Sequence, residues 1–395
     1  MAAMDETPIT SDFFRIDDLL FEQERAIRAR VRLFCDREVT PVINRFWEKA
    51  EFPFELLPRL AALRICGGTV RGYSCPGLSA VATGLVSMEL ARGDGSLNTF
   101  MAVQSGLVMQ SIARLGSEDQ KQHWLPRLAR IESIGAFALT EPNHGSDVVS
   151  LETRVRREGD RFVINGQKTW IGNGTIADVV IVWARDDDGN VGGYLVERGT
   201  FGMRSSVITG KTSQRAVWQA DMQFESVRIP AANRLPGAKS FRDTTAILTH
   251  ARQTVAWDAV GHAVAAYELA MAYTRTRHSF GKPLSSYQLV QDKLARMLAE
   301  VTTMQLMCLR LSQLLDAGTM TAGMASLAKM HCASRARKVV ADARDLLGGA
   351  GILLENHVAR HQADLEATFT YEGTDHIQAL IVGREITGIQ AFSHR

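Results

Sequence analysis

The sequence has little that would fit a disulfide-bonded, metal-dependent or membrane-bound protein. It contains only five cysteines, an odd number with no Cys-x-x-Cys pair or His/Cys array, which argues against a disulfide framework or a metal site. The 45 basic and 43 acidic side chains nearly cancel, so a nucleic-acid or membrane-surface partner is not indicated. No apolar run is long enough to cross a bilayer, and the amino-terminal segment lacks the order of a signal peptide. These absences predict a reduced, cytoplasmic protein.

Three regions with different periodicity follow one another along the chain. Apolar residues recur at helical spacing up to about residue 130, where glycines and prolines separate several helices. Strand-like runs follow from about 134 to 227, with tight reversals predicted at Gly159-Asp160, Asn165-Gly166 and Asp188-Gly189. Helical periodicity then returns. The sequence therefore predicts a mainly α fold with a central β domain, divided into residues 1–133, 134–239 and 240–395.

Five motifs lie in a fixed order along these regions. They are residues 137–147 (FALTEPNHGSD), 168–173 (KTWIGN), 277–284 (RHSFGKPL), 346–351 (LLGGAG) and 371–374 (YEGT). Together they closely resemble the acyl-CoA dehydrogenase family, and within it the glutaryl-CoA dehydrogenases and the plant peroxisomal short-chain acyl-CoA oxidase. The resemblance implies a helical N-terminal domain, a β-barrel middle domain and a C-terminal four-helix bundle, assembled as a homotetramer with FAD at a subunit boundary.

Glu372 matches the catalytic base of that family, which removes the α proton of an acyl-CoA thioester while hydride leaves the β carbon. A carboxylate suits this task because burial beside a flavin and an apolar acyl chain raises its pKa. The resemblance also implies that the Glu372 backbone binds the thioester oxygen, and Gly373 would allow substrate to approach closely. The alternative for Glu372 is a solvated loop glutamate. Glu366, the rival carboxylate, fits a structural ion pair better.

The resemblance assigns a larger set of residues to FAD. Side chains of the first two motifs would border or cover the isoalloxazine ring, and Ser146 would also reach CoA. The third motif would serve the pyrophosphate and adenine of FAD in a neighbouring subunit. The predicted FAD-binding residues are Phe137, Leu139, Thr140, Gly145, Ser146, Trp170, Ile171, Gly172, Arg277, Phe280, Gln288, Asp345, Leu346, Leu347, Gly348, Gly349, Thr374 and Phe392.

The residues expected to border the acyl chain favour a short or slightly polar group. Arg252 matches an arginine that borders the substrate near the base, where it would hold the Glu372 loop or meet CoA. Asn98, followed by Thr99, stands where glutaryl-CoA dehydrogenase has the arginine that binds its distal carboxylate. Asn cannot neutralise a carboxylate, and an unpaired buried charge is costly. The sequence therefore disfavours a dicarboxylyl substrate, although Arg92 leaves a shifted carboxylate site open.

The favoured activity is FAD-dependent dehydrogenation of a short-chain acyl-CoA to the trans-2-enoyl-CoA, with electrons passing to an electron-transfer flavoprotein. Many relatives carry Ser or Thr at the position of Gly172, as a hydrogen-bond donor to flavin N5. The plant oxidase also has glycine at this position. An acyl-CoA oxidase that uses molecular oxygen is therefore one alternative, and glutaryl-CoA dehydrogenase is another. A flavin monooxygenase of the same fold is disfavoured by the intact motif at 371–374. A non-enzymatic binding protein is the last alternative.

Overall fold

Helices form the first region of the computed structural model, which describes residues 10–391. They are α1 (Glu22–Phe34), α2 (Thr40–Lys49), α3 (Leu57–Ala62), α4 (Ala80–Gly93), α5 (Gly95–Met101), α6 (Gln110–Leu115) and α7 (Glu118–Ala129). Ser117 and Gln120 cap the start of α7 reciprocally, since each side chain accepts a hydrogen bond from the main-chain N–H of the other. Phe392, one of the predicted FAD-binding residues, lies outside the described residues.

A π-helical segment, Ala102–Met109, connects α5 to α6 without a break. Turns of this wider helix are rare in proteins. Those that do occur are frequently found at functional sites. Asn98 and Thr99, both predicted to border the substrate, lie in α5 just before this segment. The local geometry therefore already marks this stretch of helix as a place to look for a binding site.

A seven-stranded sheet forms the middle region. Its strands are β1 (Gly135–Ala138), β2 (Arg154–Glu158), β3 (Arg161–Gly172), β4 (Val179–Arg185), β5 (Val191–Glu197), β6 (Met203–Val207) and β7 (Gln219–Pro230). The strand order is β1-β4-β2-β3-β7-β6, with β5 also paired to β4. β1 is parallel to β4, with Phe137 opposite Ile181, while β2-β3 and β4-β5 are antiparallel hairpins.

Two of the three predicted strand reversals are confirmed. Gly159-Asp160 joins β2 to β3, and Asp188-Gly189 lies between β4 and β5. The prediction at Asn165-Gly166 was wrong, because this pair lies inside β3 at a shift in its register with β7. A Cβ at Gly166 would come within 2.4 Å of Thr153 Oγ1. The glycine therefore permits close packing of neighbouring backbones at a bulge, and the chain does not reverse there.

Three long and two shorter helices form the last region. They are α8 (Phe241–Thr276), α9 (Gln288–Asp316), α10 (Ala322–Leu346), α11 (Val358–Thr370) and α12 (Asp375–Thr387), with the hairpin of β8 (His278–Ser279) and β9 (Lys282–Pro283) between α8 and α9. α8 packs closely on α4 at Gly84, where a Cβ would lie 2.1 Å from Trp257 Nε1. The predicted order of a helical, a β and a second helical region is confirmed.

Two large apolar clusters hold the regions together. One extends from α1, α2 and α5 to Trp183 in the sheet, and the other lies among α4, α8, α9 and α10. Dense packing of this kind fixes the helices that carry the site relative to one another. Among residues 10–391, no helix combines the length and the apolar character needed to cross a bilayer.

Candidate active site

The Glu372 loop, residues 371–374, joins α11 to α12. Glu372 has a left-handed backbone with φ of 53°, which is uncommon for a residue with a side chain and concentrates at functional sites. Gly373 follows with φ of 95°, and a Cβ there would lie 2.4 Å from Gln378 Nε2. The packing of this loop against α12 therefore requires glycine after Glu372.

The Glu372 carboxyl group is enclosed by protein with little hydrogen-bond support. Although the residue as a whole is only partly buried, its Oε2 atom is buried and has no hydrogen-bond partner among residues 10–391. Burial raises the pKa of Glu372 to about 7, against the opposing attraction of Arg252 and Lys329. Such a group gains and loses its proton near neutral pH and has an oxygen free to accept one. These properties support a general base and argue against a solvated loop glutamate.

Three side chains from outside the Glu372 loop hold its backbone carbonyls. Lys329, buried on α10, donates a hydrogen bond from Nζ to the Gly373 carbonyl at 2.9 Å. Gln378 Nε2 donates to the Glu372 carbonyl at 2.8 Å and to the Gly373 carbonyl at 3.0 Å. Arg252 Nε donates to the Glu372 carbonyl at 3.4 Å. Of the two roles predicted for Arg252, the structure therefore supports the one that holds the loop.

Lys329 and Gln378 are site residues that the sequence did not reveal. Lys329 lies on the face of α10 that also buries Ala325, Cys332 and Ala336. Burial lowers the pKa of Lys329 to about 8, against the opposing attraction of Glu372 and two other nearby carboxylates. A lysine in an apolar helical stripe is rare without a partner. That pattern was the available signal for Lys329, whereas nothing comparable marked Gln378.

A buried polar chain links the Glu372 loop to α5. Tyr371 Oη donates to Asp258 Oδ2 at 3.1 Å, and Asn98 Nδ2 donates to Asp258 Oδ1 at 2.7 Å. Asn98 Nδ2 also donates to Ser87 Oγ at 3.1 Å, which uses both of its N–H donors. The structure therefore brings Asn98 close to the loop of the base, but it leaves only the Asn98 carbonyl oxygen for a substrate.

The first two predicted flavin motifs meet where β1 ends beside β3. Lys168 is buried and donates from Nζ to the Leu139 carbonyl and to Glu141 Oε1, both at 2.9 Å. The Thr169 N–H donates to the Thr140 carbonyl at 2.9 Å. A buried ion pair that also bonds to the main chain holds chain segments in one register. Leu139 and Thr140 are thus fixed beside the second motif, as the predicted flavin site requires.

Trp170 and the Gly145 turn offer open surface beside these strands. Trp170 lies at a register shift of β3 with φ of 60° and is 58% exposed, although large aromatic residues are usually well buried. Gly145 and Ser146 are exposed, and a Cβ at Gly145 would meet nothing within 4 Å. An exposed aromatic face, open backbone and a hydroxyl fit a flat ligand with polar edges, such as FAD.

Some predicted site side chains are engaged inside the protein. Phe137 packs against Trp183 with ring centroids 5.6 Å apart. The Thr99 hydroxyl donates to Gln214 Oε1 at 2.9 Å. Thr374 caps α12 by accepting a hydrogen bond from a main-chain N–H three residues later, at 3.4 Å. Each of these residues helps to shape the site, and contact with a ligand would add to these internal contacts.

The predicted FAD residues of the last region lie at helix ends. Gly348 and Gly349 follow α10, and a Cβ at either would meet nothing within 4 Å. Asp345 forms an ion pair with Lys293, so its carboxylate is already neutralised. Leu347 is buried, while Leu346 is partly exposed. This turn therefore offers open backbone, which suits close approach of a cofactor.

Arg277, Phe280 and Gln288 are exposed around the β8-β9 hairpin. Phe280 is 95% exposed and has a left-handed backbone with φ of 49°. Among residues 10–391, no hydrogen bond or ion pair joins these three residues to the Glu372 loop. In the described residues, this part of the predicted site therefore makes no polar contact with the loop of the base.

Gly172 is tightly packed, and its neighbour Ile171 is buried. A Cβ at Gly172 would lie 2.8 Å from Val103 Cγ2, in the π-helical segment. Val103 therefore occupies the space that a Ser or Thr side chain would need.

We expect Gly172→Ser to lower the free energy of unfolding by about 1–3 kcal/mol, because the added side chain overpacks against Val103. The double variant Gly172→Ser/Val103→Ala should recover most of that loss, since alanine makes room for the serine. Urea unfolding of the single and double variants measures the difference. Equal stability of the two proteins would contradict this account of the packing.

Three family profiles match most of the chain. Residues 21–132 match the acyl-CoA dehydrogenase N-terminal domain, residues 136–227 its middle domain and residues 241–387 its C-terminal domain. The chain belongs to the acyl-CoA dehydrogenase family. The family, the fold class and the enzyme class predicted from the motifs are thereby confirmed: this acyl-CoA dehydrogenase is an oxidoreductase that acts on acyl-CoA.

Individual members of the acyl-CoA dehydrogenase family match over nearly their whole length. The mitochondrial short-chain specific acyl-CoA dehydrogenase of Rattus norvegicus is 32% identical over 368 residues, covering 91% of this chain and 89% of the relative. A glutaryl-CoA dehydrogenase from Mycobacterium smegmatis in complex with FADH2 has a TM-score of 0.94 and 41% identity, covering 96% of this chain and 98% of that one. Butyryl-CoA dehydrogenase from Megasphaera elsdenii has a TM-score of 0.89 and 28% identity, covering 93% and 98%. These names differ in the acyl group, so the similarity leaves the acyl group of this enzyme open.

Proposed function

We propose that this acyl-CoA dehydrogenase introduces a trans α,β double bond into a short-chain acyl-CoA thioester, with FAD as its cofactor. The observation that carries the proposal is the Glu372 carboxyl group, with a buried, unpartnered Oε2 atom among residues 10–391 and a pKa raised by burial to about 7. When bound, FAD supplies the hydride acceptor. The open surfaces at Trp170 and Gly145 and the FADH2 in a related structure support this cofactor.

Glu372 would take the α proton as a carboxylate, while its backbone binds the thioester oxygen. In the described part of the chain, the Glu372 main-chain N–H donates to no other group, whereas the loop carbonyls are held by Lys329, Gln378 and Arg252. A fixed donor at this place stabilises the negative charge that develops on the thioester oxygen as the proton leaves. The side chain and the backbone of one residue then act on neighbouring atoms of the substrate.

The acyl group is short and carries no carboxylate at Asn98. Both Asn98 N–H donors are used by Ser87 and Asp258, so a substrate carboxylate would meet the Asn98 carbonyl oxygen and the charge of Asp258 behind it. Burying a carboxylate against acceptors and a like charge is strongly unfavourable. This arrangement supports a monocarboxylic acyl-CoA over glutaryl-CoA.

Anaerobic titration with butyryl-CoA, hexanoyl-CoA and glutaryl-CoA tests the proposal. The two monocarboxylic substrates should bleach the flavin and yield the enoyl-CoA, while glutaryl-CoA should bleach it far more slowly. A purified protein that binds FAD but is bleached by no acyl-CoA would refute the proposed dehydrogenation. A protein that cannot bind FAD would support a non-enzymatic role instead.

An electron-transfer flavoprotein is the proposed electron acceptor, and molecular oxygen is the second candidate. The oxidase is favoured by one observation, the glycine at position 172 packed against Val103, which leaves no hydroxyl there. Stoichiometric peroxide during aerobic turnover would support the oxidase. Reduced enzyme that reacts slowly with oxygen and quickly with an electron-transfer flavoprotein would support the dehydrogenase.

A homotetramer is the proposed assembly, in which the β8-β9 hairpin serves the cofactor of a neighbouring subunit. The exposure of Arg277, Phe280 and Gln288 supports this arrangement, because large apolar and cationic groups on one hairpin are typical of an interface. Sedimentation equilibrium of the FAD-loaded protein measures the assembly. A monomer that retains full activity would contradict the shared site.

The pH dependence of catalysis should reflect Glu372. We expect kcat/KM to rise as the pH increases through about 7 and then to level, because the base acts only when deprotonated and burial raises the pKa of Glu372 to about 7. Anaerobic stopped-flow measurement of flavin reduction gives the profile. A profile that rises near the pKa of an ordinary solvated glutamate, well below 7, would contradict a buried base.

A further inference from the structure

A cavity between α4, α5 and α8 is lined by several polar side chains. α8 contributes His250 and Thr254 to the lining, and Arg252, which lies between them in sequence, holds the Glu372 loop. Asn98 of α5 also lines the cavity, and Asp258 joins it by hydrogen bonds to Tyr371 of the Glu372 loop. The proposed function places the distal end of an acyl chain held at Glu372 near Asn98, and therefore in this cavity. Its lining therefore bears on which acyl group is accepted.

His250 presents one ring N–H toward the cavity. Only 9% of its surface is exposed, and Arg114 Nη2 lies 3.0 Å from Nδ1. Because a guanidinium group can only donate, Nδ1 must be the accepting nitrogen. Burial and the charge of Arg114 lower the pKa of His250 to about 4, so the ring is neutral near pH 7. Its single proton therefore sits on Nε2, which faces Thr69, another residue of the lining.

Thr69 adds a second donor at the same place. Its Oγ1 accepts a hydrogen bond from Gln110 Nε2 at 2.9 Å and lies 3.5 Å from His250 Nε2, but among residues 10–391 no acceptor takes its hydroxyl hydrogen. Other hydroxyls of the lining are satisfied, since Thr83 and Ser87 donate to main-chain carbonyls at 3.0 and 2.9 Å. The cavity thus has two donors side by side. The Nε2–H of His250 is bonded only weakly, at 3.5 Å, and the hydroxyl hydrogen of Thr69 is unused in the described residues.

We propose that His250 and Thr69 bind an uncharged oxygen on the acyl chain, a carbonyl or hydroxyl group distal to the thioester. The inference rests on the proposed function and specifies its substrate class. An oxygen acceptor would satisfy both donors, whereas a plain alkyl chain would cover them and leave them without a partner. A carboxylate is disfavoured because both donors are neutral and a buried charge requires a counter-charge. The guanidinium group of Arg114 contacts Nδ1, on the opposite side of the His250 ring from the Nε2 donor, and does not supply that charge at the donors. His250 and Thr69 are therefore residues that determine specificity.

The experiment measures the activity of the holoenzyme on two substrates of equal chain length: levulinyl-CoA, which carries a ketone, and pentanoyl-CoA, which does not. The comparison is repeated with a keto and an alkyl substrate that are each one carbon longer. The measured quantity is the ratio of kcat/KM for the keto substrate to that for the alkyl substrate. Differences in intrinsic reactivity cancel when this ratio is compared between wild type and a variant. His250→Phe should lower the ratio about tenfold or more, because the N–H donor is lost.

Further variants keep this experiment decisive. His250→Gln retains an N–H donor at a similar reach and should keep part of the keto preference, while Thr69→Val should lower it. His123→Phe, at an exposed histidine of α7, is the matched control and should leave the ratio unchanged. A folded His250→Phe enzyme with the wild-type ratio in both pairs would overturn the inference, as would a wild-type preference for glutaryl-CoA. Wild-type holoenzyme that oxidises no acyl-CoA at all would refute the proposed function itself.

Discussion

Glu372→Gln should reduce the rate of anaerobic flavin bleaching by acyl-CoA about 100- to 10,000-fold while the protein still folds and binds FAD. Glutamine has nearly the same volume as glutamate but cannot accept the α proton. The substitution breaks no side-chain hydrogen bond at Oε2, since that atom has no partner in the described part of the chain. Stopped-flow absorbance of the flavin measures the rate. Full activity of the variant would remove Glu372 from the mechanism.

The stability of Glu372→Gln distinguishes lost chemistry from lost structure. Burial raises the pKa of Glu372 to about 7 in the folded protein, above its value in the unfolded chain. At pH values between these two pKa values, the folded state therefore binds more protons than the unfolded state. The free energy of unfolding falls as the pH rises through this interval. Glutamine avoids the cost of the buried charge, so at about pH 8 the variant should be at least as stable as the wild type. A large drop in Tm would contradict this reasoning.

Glu366→Gln is the matched control for Glu372. Glu366 is exposed on α11 and pairs with Arg337 at 2.8 Å, which confirms its interpretation as a structural ion pair. Exposed pairs contribute little to stability. Glu366→Gln should therefore bleach at nearly the wild-type rate. A loss as large as that of Glu372→Gln would mean that the rival carboxylate takes part in the chemistry.

Local patterns predicted more of this molecule than long-range contacts did. The order of helical and β regions and the loop of Glu372 could be predicted because periodicity and motif residues are contiguous in sequence. Asn165-Gly166 was misassigned because the same residue pair suits a turn and a bulge, and the choice depends on packing against Thr153, which sequence does not show. The outcome at such positions is decided by tertiary contacts that override local preference.

The support of the site was hidden for the same reason. Lys329 meets Gly373 across 44 residues, and His250 meets Arg114 across 136. Neither pair belongs to one motif, so nothing in the local sequence connects them. Glu372 and the contact of Arg252 with its loop could be predicted, whereas Lys329 and Gln378, which also hold that loop, could not.

Lys329→Met should lower the rate of flavin reduction about 100-fold, because a small displacement of a catalytic group has effects of this size. Lys329 is a positioning residue: its Nζ holds the carbonyls of Phe369 and Gly373 at 3.0 and 2.9 Å. Its charge also lowers the pKa of Glu372. Removing that charge should raise the pKa further, so the rise of kcat/KM should move to higher pH. The pH profile of flavin reduction in the variant measures this shift.

Lys329→Met should lower the free energy of unfolding by only about 1–3 kcal/mol. The variant loses two hydrogen bonds, but it also avoids the free-energy cost of burying an ammonium group. Lys338→Met is the control, since Lys338 is exposed on the same helix and pairs with Asp342 at 2.9 Å. It should change stability by no more than about 0.5 kcal/mol and leave the pH profile in place. If Lys329→Met destabilises the protein but keeps the wild-type rate and pH profile, Lys329 supports the fold alone, and the orientation of Glu372 must come from Gln378 and Arg252.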